Sequence, residues 1–276
     1  ANPTGDGLAS CLALKQILKK VNKNSEVIID NFSIPKEYSF LPEISNVKSD
    51  VNKLKKFIIN LDVTQTGIDE LSYDLQGTNL NIYLTPKQGV FTPDDLKFKT
   101  SEFAFDLIII VGATDLDSLG KIYEHHRDFF YQVPVINIDN NPANEQYGHI
   151  NLLDLTATSS CEIIYNQINT WEEQVMDKEL ATCLLAGMIS ATRSFKTSNV
   201  TPKALHIASE LIEAGAKRQE IVTNLFQTKT INTLKLWGRI LARLQYDKDA
   251  KLIWSKINPH DFTESNTSPK DMTGII

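Results

Sequence analysis

The 276-residue chain has little cysteine, no excess of positive charge and no long apolar run. Its three cysteines, Cys11, Cys161 and Cys183, lie far apart and never in a Cys-x-x-Cys spacing. That excludes a thiolate metal knuckle and a disulfide framework, and reads as three reduced core thiols of a cytoplasmic protein. Apolar stretches such as "LIIIVG" have strand length, well short of the roughly 18 to 20 residues that cross a bilayer. Neither a membrane partner nor a signal peptide is therefore expected. The formal net charge of -6 argues against a globally basic nucleic-acid binder and leaves room only for a local basic groove. Internal repeats and low-complexity tracts are absent too.

A further lack is local. In "VINIDNNPANEQYGHINLLD" an apolar strand delivers Asp139 to its C-terminal end, and Asn140 and Asn141 follow. A strand-end carboxylate followed by two imidazoles makes a metal site, whereas amides are poor transition-metal ligands.

What is present is an alternation of strand and helix signals. The apolar runs at 27–32, 107–112 and 135–139 are nearly continuous in Val and Ile, as strands buried on both faces are. "KFIINLDV", "LNIYLTPKQG" and "HINLLDL" add further strands. Helical spacing appears after the opening turn "NPTGDG", at 115–127 and at 159–171. This predicts an α/β fold: a central, mainly parallel sheet flanked by helices. Beyond about residue 176 four helices follow in succession, one of them opened by Thr201 and Pro202 and closed near Gly215. "AKLIWSKI" then reads as a strand and "NPHDFTESNTSPKD" as a polar loop. These signals place one domain at 1–245 and the start of a second α/β domain at 246–276. The opening at Ala1 and the close on "DMTGII" read as cut ends.

Several residue groups are open to a chemical reading. The turn around Gly5, with Ser10 on the following helix, offers backbone N–H groups to a phosphate, or is simply a capped helix start. Asp6 is a metal ligand or an N-cap. Gly112 marks a strand emerging at the ligand-binding edge of a parallel sheet, and Asp115 and Asp117 beyond it read first as helix caps. His125 and His126 point about 100° apart on a helix and cannot readily share an ion. Arg193 and Lys196, beside Ser194 and Thr197, present an anion site or a solvated helix end.

The order of these motifs resembles the DHH phosphoesterase family. The resemblance is to the branch with oligoribonucleases that also hydrolyse phosphoadenosine phosphate, RecJ-like exonucleases and exopolyphosphatase-related proteins. "NPTGDGLAS", "LIIIVGATDLDSLG", "INIDNNPANEQYGHIN" and "LLAGMISATRSF" stand where that family carries HxxPDGDxxxS, a strand-end Asp, the DHH triplet and GxxxDT. The resemblance implies a two-metal phosphoesterase and a smaller associated domain, but most ligand positions are replaced. The first-motif histidine would precede Ala1. Thr4, Gly112 and Ala191 stand for aspartates, and Asn140 and Asn141 for the histidines, while Asp6 and Asp139 remain as vestigial metal candidates. Two carboxylates are too few to hold metal ions about 3.5 to 4 Å apart and clamp an in-line transition state. The expectation is a catalytically degenerate member, without a metal cofactor, that keeps phosphate or nucleotide binding through Gly5, Ser10, Arg193 and Lys196. Two alternatives stay open. One is an active Mn²⁺ or Mg²⁺ phosphoesterase acting on short oligonucleotides or nucleoside phosphates, its site rebuilt with His149 or Asp115. The other is a scaffold or regulatory subunit, and in any of these readings the chain could pair as a homodimer.

Overall fold

The computed structural model describes residues 3–51, 54–171, 175–226 and 230–272. The chain divides into two compact units. One comprises residues 28–31 and 48–153, and the other residues 3–27, 32–47 and 154–276. No helix among the described residues is long and apolar enough to cross a membrane.

The second unit opens with helix α1 (Gly5–Lys20). Thr4 caps it with extended backbone and a side chain that accepts from Gly7 N at 3.0 Å, and Lys19 and Lys20 sit at the negative end of its dipole.

The first unit begins with four strands that nest into one antiparallel ribbon: β1 (Phe57–Leu61), β2 (Ile68–Gln76), β3 (Asn79–Pro86) and β4 (Leu96–Thr100). β1 pairs with β4 and β2 with β3. Between the two pairs the ribbon is carried on by Asp62 N donating to Asp95 O (2.9 Å) and Gln88 N to Thr66 O (3.1 Å). Gly77, at φ +63°, begins the two-residue turn at its tip, as a type II′ turn requires. β2 adds a strand to those expected from the sequence, and Leu71, Tyr73 and Leu75 alternate there with polar residues at the period of a strand.

After the ribbon come β5 (Ile108–Val111), α2 (Lys121–His125), α3 (Arg127–Gln132), β6 (Val135–Asp139) and β7 (Ile150–Leu153). The three strands form the expected parallel sheet in the order β5-β6-β7. Phe129, Phe130, Tyr123 and Ile122 pack with Ile110 and Val135 in the core of this unit. Two expectations fail here. The run at 27–32 supplies only a bridge from Ile28 to Lys48, because Asn31 turns to φ +49° and ends the extension. The helix expected over 115–127 is a 3₁₀ turn (Asp117–Leu119) and then α2, split by Gly120 at φ +64°, ψ -137°, a conformation that only glycine adopts without strain.

The remaining helices are α4 (Ser160–Ile168), α5 (Lys178–Ala191), α6 (Pro202–Glu213), α7 (Arg218–Phe226) and α8 (Ile231–Ala242). α5 is buried from Leu180 to Ile189 on every side, against Leu8, Leu12 and Ile17 of α1 among others. Each such leucine or isoleucine withdrawn from water is worth about 1.5–3 kcal/mol. Thr201 caps α6 by accepting from Ala204 N, and Gly215 follows its end at φ +96°, as the sequence implies. The tail forms β8 (Gln245–Asp247) paired with β9 (Leu252–Trp254), then α9 (Pro259–Ser265). α9 corrects the polar-loop reading of this stretch. Asn258 and Asp261 form a capping box around Pro259, and Asp261 is buried, accepting from Arg239 Nε (3.0 Å) and Arg243 Nη2 (2.9 Å).

Candidate functional site

The four motifs fall in two pairs, one on each unit. On the second unit the head of α1 meets the end of α5. A Cβ built on Gly5 would lie 1.7 Å from the Tyr38 hydroxyl and 2.3 Å from Ser190 Oγ. Those two oxygens hydrogen-bond at 2.7 Å, so the phenol rests against Gly5 itself, and burial pushes its pKa up. Ala191 is the last residue of α5, next to Ser190. Glycine is therefore required at position 5 by close approach.

Asp6 is not the cap of its own helix, which is Thr4. Its carboxylate reaches instead to the first turn of α4, where Oδ2 accepts from Ser160 N (2.7 Å) and Oδ1 from Cys161 N (3.2 Å). Ser10, fully buried, approaches Oδ1 at 3.5 Å and Cys161 Sγ at 3.0 Å. Burial drives the Asp6 carboxyl above its ordinary value, against the lowering effect of the two backbone donors. The dipole end of α4 is thus neutralised by a carboxylate from another helix.

Arg193 and Lys196 stand exposed on the turn after α5. Arg193, Ser194 and Phe195 all lie in the left-handed region, at φ +47°, +61° and +61°. Buried Thr192 holds this turn, its Oγ1 accepting from Phe195 N (3.0 Å) and its carbonyl from Lys196 N (2.8 Å).

On the first unit, Gly112 leaves β5 at φ +65° and donates its N–H to Ile138 O at 2.9 Å. Asp139 ends β6, only 3% exposed. Its Oδ1 accepts from Asn140 N (2.8 Å) and Asn141 N (3.2 Å), and its Oδ2 from Asn144 Nδ2 (2.8 Å). Asn144 also donates to Ala113 O (2.9 Å) and accepts from Asn137 Nδ2 (2.7 Å), tying the third motif to the loop after β5. Asn141 is exposed, with its Oδ1 accepting from Ala143 N.

The residues that a rebuilt metal site would recruit are engaged elsewhere. His149 Nδ1 accepts from Val135 N (3.1 Å), at the start of β6, roughly 13 Å along the strand from Asp139. Asp115 turns onto its own loop, Oδ1 accepting from Ser118 N and Oδ2 from Thr114 Oγ1, both at 2.7 Å. The His125 and His126 rings stand 6.4 Å apart between centroids, and His126 faces Asp50 at 3.5 Å. Among the described residues no group of three or more His, Cys, Asp or Glu gathers where it could hold a metal ion.

Sequence reasoning missed Tyr38, Ser190, Ser160 and Asn144. Asn144 stood three residues after Asn141 in the quoted motif, so its place was visible. Tyr38 lies in the loop "PKEYSF", which carries no signal at all.

Comparison with known proteins bears on both groups of residues. The family model described as DHH family, N-terminal domain, matches residues 1–188. The bifunctional oligoribonuclease and PAP phosphatase NrnA of Thermus thermophilus is 28% identical over 142 residues, 51% of this chain and 43% of that protein. The protein of the same name from Bacillus subtilis is 29% identical over 117 residues, 42% of this chain and 37% of its own length. The matched stretch thus spans less than half of either relative. An exopolyphosphatase-related protein from Bacteroides fragilis superposes with a TM-score of 0.72 at 16% identity, covering 99% of this chain and 68% of that one. At that identity the likeness speaks for the fold.

Proposed function

The chain belongs to the DHH family, and from that premise we propose a phosphoesterase-like member whose metal site has degenerated while binding of a phosphate-bearing nucleotide persists. The observation that carries this reading is the state of Asp139. It is followed by amides instead of imidazoles, and its two oxygens already accept three N–H groups from Asn140, Asn141 and Asn144. Asp6, the other retained carboxylate, is likewise committed to the first turn of α4.

A pair of divalent cations does not fit this donor set. Bridging metals need several anionic or imidazole ligands, and neither unit supplies more than one carboxylate of the family pattern with free lone-pair directions. The exposed cations Arg193 and Lys196 are the groups suited to an anionic ligand, Arg193 by two-pronged contact with phosphate oxygens and Lys196 as a point charge. The positions of His149 and Asp115 give no support to a rebuilt catalytic centre.

The test is twofold. With Mn²⁺ supplied, the protein should show no turnover of short oligoribonucleotides, phosphoadenosine phosphate or polyphosphate above a protein-free blank. Calorimetry with phosphoadenosine phosphate should detect binding, weakened roughly tenfold by Arg193→Ala through loss of a charge-assisted contact. Turnover that disappears on Asp6→Asn or Asp139→Asn would sink the degenerate reading. Absence of binding would remove the nucleotide and leave a scaffold.

A further inference from the structure

The tip of the β-ribbon bears a face that no other element among the described residues covers. β2 and β3 pair with each other and with no other strand among the described residues. Their register sets Leu71 opposite Leu84, Tyr73 opposite Ile82 and Leu75 opposite Leu80. Because side chains alternate along a strand, these six lie on one face, while Glu70, Ser72 and Asp74 lie on the other. The apolar face is open to water: Leu71 is 61% exposed, Tyr73 75%, Leu75 73%, Leu80 55% and Ile82 44%. A lone two-stranded hairpin is only marginally stable in water, so an apolar face of this kind gains from a cover.

We infer that this face binds the same face of a second copy of the chain, making an isologous dimer through the ribbon tips. Three features select that occupant. The residues from Ile68 to Pro86 include Asp69, Glu70 and Asp74 and no lysine or arginine, so the tip repels nucleic acid and anionic membranes. No charge stands on the apolar face itself, so two identical copies of this acidic chain meet there without juxtaposing like charges. The rows read Leu–Leu, Tyr–Ile, Leu–Leu along the ribbon, a palindrome. A two-fold axis lying in the contact plane, along either the rows or the strands, sets the central row on itself and every leucine row on a leucine row.

The area suffices. The exposures above correspond to about 600 Å² of residue surface per copy, and complete cover in the pair, about 1,200 Å², reaches the lower bound of specific interfaces. Tyr73, central and the most exposed of the five, is the anchor.

Sedimentation equilibrium of the full chain should give twice the mass of one chain at micromolar concentration. Tyr73→Glu should raise the dimer dissociation constant roughly 30-fold or more, the effect of losing a buried aromatic anchor and inserting a charge. Ser72→Glu, on the opposite face, should leave it unchanged. Both positions are exposed in the single chain, so far-UV circular dichroism should match wild type, and melting should match once the chains are dilute enough to be monomeric, while at dimeric concentrations only Tyr73→Glu should melt lower. In the unmodified protein, amide exchange over residues 71–84 should slow as concentration rises. A protein that stays monomeric to about 100 µM, well above the range of specific interfaces, overturns the inference. So does a dimer indifferent to Tyr73→Glu, or exchange in the hairpin that does not respond to concentration.

Discussion

Replacing Asp6 by asparagine preserves shape and changes one atom, which isolates what the buried carboxylate does. Asp6 is the acceptor for two adjacent backbone donors, Ser160 N at 2.7 Å and Cys161 N at 3.2 Å, in a place where neither donor reaches water. An amide has one oxygen. Whichever way it turns, one N–H of the first turn of α4 faces an NH₂ group and loses its partner. A buried donor left unsatisfied costs about 1–3 kcal/mol, so the variant should lose about 2 kcal/mol, or roughly 4 to 8 °C in melting temperature. The pH dependence gives a second reading. Burial raises the Asp6 carboxyl above its ordinary 3.8, so the folded chain holds this proton more firmly than the unfolded chain. That contribution to stability is complete below the unfolded value and is lost as pH rises through the folded one. Asparagine does not titrate, so the gap between the two proteins should be widest near pH 4 and narrower at neutrality. Urea melts across this range, each with and without a chelator, provide the assay. The gap should ignore the chelator. A variant as stable as wild type, or a gap that exists only with Mn²⁺ present, would refute the account of Asp6 as a helix-capping acceptor, and a gap that widens with pH would show that the two N–H donors outweigh burial at this carboxyl.

Three further outcomes are expected. Asn144→Ala removes the donor to Asp139 and to Ala113 O and the acceptor of Asn137, and should lower stability by about 2–4 kcal/mol in denaturant melts. Gly187→Ala places a Cβ 2.2 Å from Cys161 Sγ and 3.0 Å from Asp6 Oδ1, overpacking α1, α4 and α5 at a cost of about 1–3 kcal/mol, partly recovered in a double variant with Cys161→Ala. The Arg243 guanidinium, with Arg239 and the Asn258 N–H, holds the Asp261 carboxyl well below its ordinary 3.8. Asp261→Asn should therefore lower the melting temperature near neutrality, and the difference should fade as the pH falls through and below about 4.

The parallel sheet was legible because β5 is a continuous and β6 a nearly continuous Val/Ile run, a pattern imposed by burial on both faces. Helix caps at Thr201 and the sequence of helices after residue 176 were legible for the same local reason. The ribbon was half hidden, since β2 mixes Glu, Asp and Ser with its leucines and no parallel partner exists to make its run continuous. α9 was hidden behind polar composition, although Asn-Pro followed by Asp at the third helical position is a start signal in its own right. At the site, the four motif positions could be found in the sequence, but not their roles. That Asp6 caps α4 depends on a partner more than 150 residues away, and that Tyr38 rests on Gly5 depends on a loop with no periodicity. Long-range pairing of this sort leaves no trace in spacing.

The left-handed turn at Arg193, Ser194 and Phe195 has a consequence for the history of the chain. Each non-glycine residue in that region gives up about 1–2 kcal/mol relative to a right-handed one, and glycine would relieve it. A single codon change at Ser194 is thus an available gain in stability. Under selection for stability alone, a mutagenised library should drift quickly to glycine there. If the same library is held instead to retain the protein's role in its cell, the frequency of glycine at 194 becomes a gauge of how much that role depends on a rigid presentation of Arg193 and Lys196.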